Sequence, residues 1–87
     1  MVIDMSKTMD KYFQDLHLAE FGNEEEGIEE NPREVVKLLK RALKWKTFSR
    51  LEDVCIYLGY EDDERIESIE GCKSIIMDNV ESWEHEI

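Results

Sequence analysis

The chain has 87 residues, of which 22 are acidic and 11 basic, giving a formal charge of −11. That length has room for one core and not two, and a surface of that charge disfavours a nucleic-acid partner, because the summed field repels a polyanion. Hydrophobic residues make up 41% of the chain, more than a disordered acidic polypeptide carries, so it is expected to fold.

From the N-terminus, Met5, Met9, Tyr12, Phe13, Leu16 and Ala19 recur at steps of three or four. This predicts a first helix that starts near Asp4 or Ser6 and is stopped by Gly22 and Asn23. Phe21 to Glu30 holds five glutamates and two glycines and reads as an acidic loop. Asn31-Pro32-Arg33-Glu34 follows. Asn31 suits an N-cap, Pro32 the first helical position, and Glu34 can close a capping box. The second helix carries Val35, Val36, Leu38, Leu39, Ala42, Leu43 and Trp45, a face broad enough to make it the central core element.

Thr47-Phe48-Ser49 interrupts, and Ser49 with Glu52 predicts a capping box before Leu51, Val54, Cys55 and Leu58. Gly59 suits the left-handed stop of that short third helix, with Tyr60 packing back over its end. Beyond Asp62, the positions Ile66, Ile69, Cys72, Ile76, Val80 and Trp83 predict a long fourth helix or one broken at Gly71, where glycine weakens a helix interior. No segment alternates as a strand does. The expected fold is all-α, a compact bundle of four or five helices forming one domain over residues 1–87.

Charge is segregated along the chain. Residues 35–51 hold six basic side chains and no acidic one, whereas 1–34 hold 10 acidic and 3 basic, and 52–87 hold 12 acidic and 2 basic. Lys37, Lys40, Arg41 and Lys44 share one stripe of the second helix. They are expected to face solvent or to pair with the acidic segments.

Catalytic and metal chemistry find little support. His17 and His85 stand alone, in no spacing that gathers ligands on one face. Cys55 and Cys72 fall at apolar helical positions and read as small core residues without a disulfide. Aligning Gly27 as the sixth residue of a calcium loop puts Gly22 at the first ligand position, where no side-chain oxygen exists. The glutamates around Gly22 and Gly27 would repel a phosphate. No enzyme, metal or cofactor is expected. Met1–Lys11 lacks an apolar signal core, and no apolar run approaches the ~20 residues that span a bilayer, so a cytoplasmic protein without membrane contact is expected.

In length, charge and lack of a catalytic motif, and in its acidic stretches Phe21–Glu30 and Glu61–Glu64, the chain resembles small acidic bacterial immunity proteins. The kinds in question are the helical ones of contact-dependent growth inhibition and of tRNase bacteriocins of the colicin D type. The resemblance implies a non-catalytic inhibitor that occludes the active site, or an adjacent surface, of a basic nuclease toxin domain, one copy per toxin. Two alternatives stay open: a nucleic-acid mimic that inhibits a host DNA-binding protein, and a helical module of a larger complex that uses Trp45, Phe48 and Tyr60. The residues expected to meet a basic partner are Glu24, Glu25, Glu26 and Glu29 in the loop, and Asp62, Asp63 and Glu64, in an acidic group with Glu61 and Glu67. Exposed Tyr60 and Phe48 are the expected apolar anchors, since charge steers association but a few aromatic contacts usually hold a complex.

Overall fold

The computed structural model describes residues 5–22 and 30–87. Among these residues the chain forms four α-helices, α1 (Met5–Phe21), α2 (Pro32–Ala42), α3 (Phe48–Tyr57) and α4 (Ile69–Glu84), with a 3-10 turn over Glu64–Glu67 between the last two. No strand occurs among the described residues, and the all-α bundle expected from the periodicity is what forms.

Local chemistry sets most of the boundaries. Gly22, at φ 71°, takes the left-handed conformation that ends α1, and its amide donates to the Leu18 carbonyl at 2.7 Å. Asn31 caps α2 as its type predicts, its side chain accepting from the Glu34 amide, with Pro32 at the first position. The Asn31 amide also donates to Ala19 at 2.7 Å, which ties the start of α2 to the last turn of α1. At the end of α3, Gly59 at φ 93° donates to Ile56 and Tyr60 donates to Cys55, both at 3.0 Å. These are the paired bonds of a Schellman motif.

Three expected boundaries move. Helix α2 ends at Ala42, so Lys44 and Trp45 follow it and do not lie on it. Helix α3 begins at Phe48 with Thr47 in the cap position, so Ser49 is already helical and caps nothing. The fourth helical segment is broken at Ser68, not at Gly71. Ser68 is extended (φ −137°, ψ 157°), and its hydroxyl accepts from the Gly71 amide at 2.9 Å, which starts α4 anew.

The core lies where the patterning puts it. Val35, Val36, Leu38, Leu39 and Ala42 of α2 are buried against Leu16 of α1 and Ile75, Ile76 and Val80 of α4, and Leu51, Val54 and Cys55 of α3 join them. α2 packs on both α1 and α4, and α3 packs on α4. Burying each large aliphatic side chain contributes about 1.5–3 kcal/mol, so α2, buried along five positions, holds the bundle together. The Tyr12 hydroxyl donates to the Leu38 carbonyl at 3.2 Å, and burial raises its pKa above the usual phenol range. Cys55 and Cys72 are fully buried. Cys55 Sγ donates to the Cys72 carbonyl at 3.5 Å, Cys72 Sγ donates to the Ile66 carbonyl at 3.4 Å, and burial pushes the Cys55 thiol up to about 12.

Candidate functional site

The segment from Tyr60 to Glu70 contains the densest described acidic group, and one arginine organises it. Asp63 caps the 3-10 turn by accepting from the Arg65 amide at 2.9 Å. The Arg65 guanidinium then folds back on the same carboxylate, with Nε 3.1 Å from Oδ1 and an η nitrogen 2.9 Å from Oδ2. Its other η nitrogen donates to Asp78 at 2.8 Å and to the Ser74 hydroxyl at 3.3 Å, both on α4. These bonds, side-chain ones first, hold the Asp63 carboxyl below the usual aspartate range and raise Arg65.

Gly71 completes this clamp. A Cβ at Gly71 would overlap the Arg65 carbonyl, so the 3-10 turn lies directly against the first turn of α4. The stripe Gly71, Ser74 and Asp78 is therefore the face of α4 that receives the turn.

Around this fixed backbone, Glu61, Asp62, Glu64, Glu67 and Glu70 are exposed. None of the five makes an ion pair among the described residues. This exposed acidic stretch is called the ridge below, and Ile69, 36% exposed, is the exposed apolar residue within it.

The expected site residues fare differently. Asp62 and Glu64 are exposed on the ridge. Asp63 does not, because Arg65 occupies both of its oxygens. Tyr60 and Phe48 are half-buried and packed on the core, so neither is the exposed anchor expected. They also flank opposite ends of α3, whose 10 residues span about 15 Å at ~1.5 Å each, and only Tyr60 adjoins the ridge. Trp45 is half-buried too, its ring edge-on to Tyr12 at 4.9 Å. Glu24, Glu25, Glu26 and Glu29 lie outside the described residues.

Sequence reasoning missed Arg65 as the clamp and Glu70 as the end of the ridge. Glu70 had a readable signal, since Ser68-Ile69-Glu70-Gly71 can start a helix. The Arg65–Asp78 bond had none, because it spans 13 residues across a chain reversal. The largest exposed apolar side chain described, Phe21 at 64%, lies at the end of α1 and was also overlooked.

Two further groups carry charge or titrate. On α2 and the turn that follows it, Arg33, Lys37, Lys40, Arg41 and Lys44 are exposed and line one shallow groove with Val36. Of these only Lys40 has an ion-pair partner among the described residues, Glu84 at 4.0 Å. Between α1 and α3, burial raises the pKa of Glu20, while His17 and the Tyr57 hydroxyl draw it down, and burial with the Glu20 charge pushes Tyr57 up to about 12. Among the described residues, no three His, Cys, Asp or Glu side chains gather as a metal site. No described helix is long and apolar enough to cross a membrane. Comparison with protein-family models, with curated proteins and with solved structures gives no match for the chain.

Proposed function

We propose that this chain is a non-catalytic binding protein that neutralises a basic partner in the cytoplasm. In the immunity-protein reading, the partner is a nuclease toxin domain, held one to one through its active site or a neighbouring surface. The observation that carries the proposal is the ridge itself: five exposed carboxylates, Glu61, Asp62, Glu64, Glu67 and Glu70, none of them in an ion pair among the described residues, on a turn clamped by Arg65. A turn backbone set in place before binding loses little loop freedom on association, which favours affinity at a given contact area. Its field attracts a cationic surface, and complementary fields raise association rates by up to ~10³. The weaker apolar contribution comes from Ile69, exposed within the ridge, and from the accessible part of Tyr60 beside it.

The test is binding to the product of the adjacent gene, where a toxin would be encoded beside its immunity protein, together with protection of cells that express it. Replacing Glu61, Asp62, Glu64 and Glu67 by their amides should slow association at least tenfold at low salt, change dissociation less, and remove protection. Unchanged association and protection would exclude the ridge as the interface.

A further inference from the structure

We infer that, without its partner, this protein self-associates head to tail, the cationic face of α2 on one copy seating the acidic ridge of a second. The inference rests on the same ridge as the proposed function but adds a different surface and a different occupant.

Every exposed residue from Arg33 to Lys46 is cationic: Arg33, Lys37, Lys40, Arg41, Lys44 and Lys46. Helix polarity accounts for Lys40 and Arg41, which lie in the last turn of α2 where the dipole favours cations. It does not account for Arg33 or Lys37, nearer the positive end. With 22 acidic residues in the chain, these cations nonetheless have one ion pair among the described residues, the long contact from Lys40 to Glu84.

Within one molecule no cation of α2 pairs with a ridge carboxylate among the described residues. Glu84 is the last residue of α4 and Glu70 the second, in a helix of 16 residues that extends about 24 Å at ~1.5 Å per residue. The contact from Lys40 therefore fixes that cation beside the end of α4 remote from the ridge. The Debye length at physiological salt is about 8 Å, so over that separation Lys40 and the Glu70 end of the ridge hardly act on each other. Between copies the restriction vanishes. Arg33, Lys37, Lys40, Arg41 and Lys44 follow one stripe of α2 and the turn after it, with charges about one turn apart, and the ridge offers five carboxylates over the ten residues from Glu61 to Glu70. Contact of two different faces is heterologous, so each copy keeps one face of each sign unfilled and association is open-ended. Net charge of like sign opposes this only over the range that salt leaves unscreened, which limits the association to high protein concentration. A basic partner on the ridge would compete with it and return the protein to single copies.

Sedimentation equilibrium of the whole chain from about 10 μM to 1 mM tests the inference. At physiological salt the weight-average mass should rise above 10.4 kDa with concentration, and 0.5 M salt, which screens the contact pairs as well, should return it to one chain. Two variants, each checked for fold by circular dichroism, then separate the faces: Lys37→Gln/Arg41→Gln/Lys44→Gln, and Glu61→Gln/Asp62→Asn/Glu64→Gln/Glu67→Gln. Each alone should stay monomeric, whereas their mixture should form a capped 1:1 dimer from the one intact face of each sign. The cationic-face variant should still bind the basic partner, so loss of self-association is distinguishable from failure of the proposed function. A wild-type mass independent of concentration would overturn the inference. So would self-association of the amide variant as strong as that of wild type, because that variant is less negative and would then associate without using its ridge. Binding of a polyanion such as heparin by α2 with no self-association would assign that face to another ligand class.

Discussion

The acidic ridge at residues 61–70 and the cationic face of α2 display the same number of principal charges, but the backbone beneath them is fixed by different means. Under the cations lies a regular helix whose other side is the centre of the core, with Val35, Leu38, Leu39 and Ala42 at most 1% exposed. Display there follows from apolar burial alone. Under the carboxylates lies a four-residue 3-10 turn with no buried residue of its own, and its position depends on Arg65 reaching Asp63, Ser74 and Asp78. A charge set on a core helix should thus withstand loss of any one polar contact. One set on an irregular turn should not.

The largest effect is expected where the helix side is attacked through its core. Leu39, fully buried in α2, replaced by alanine should lose about 2–5 kcal/mol of stability in urea denaturation, because a cavity adds to the lost burial. The ridge should remain folded in whatever fraction of the protein stays native.

Gly71→Ala comes next and acts on the ridge. In an ordinary helix this substitution stabilises by up to ~1 kcal/mol, but here the new methyl meets the Arg65 carbonyl, which is backbone and yields little. A net loss of about 1–3 kcal/mol is expected. A gain in stability would show that the turn does not lie against α4.

Asp63→Asn sharpens the contrast through its pH dependence. The folded-state pKa of Asp63 is depressed, so the stability it contributes is present above the ordinary aspartate pKa and is lost as pH falls through the depressed value. The variant should melt below the wild type at pH 7, and the gap should close in strong acid. A gap that does not change with pH would mean the carboxylate charge is not what holds the turn. The smallest effect is expected at the other set. Lys40→Gln removes a long, half-exposed pair with Glu84, and exposed pairs contribute only about 0–1 kcal/mol, so its melting temperature should barely move.

The same contrast explains what was legible in the sequence. Signals that act within a few residues were readable: the Asn31-Pro32-Glu34 start of α2, the Gly22 and Gly59 stops, and the apolar stripe that makes α2 central. The break before α4 was half-legible, because Gly71 was visible as an anomaly but its cause was not. Its lack of a side chain admits the Arg65 carbonyl, while Ser68 makes the break. The commitment of Asp63 was hidden for a related reason. Asp62, Asp63 and Glu64 are equivalent as acidic letters, and only the fold brings Arg65 and Asp78 together around one of them. Phe48 and Tyr60 were misplaced because aromatic residues at helix ends can turn either to solvent or to the core, and here both turn to the core.

The proposed site for a cationic partner is the set of carboxylates at residues 61–70, held by the Arg65 clamp. A two-dimensional NMR titration with hexalysine at low salt tests it most directly, since the probe carries charge and nothing else specific. Shifts should concentrate in the amides of residues 60–70, saturate together and be absent in the Glu61→Gln/Asp62→Asn/Glu64→Gln/Glu67→Gln variant. Shifts spread evenly over all acidic positions, or confined to residues 23–30, would contradict it.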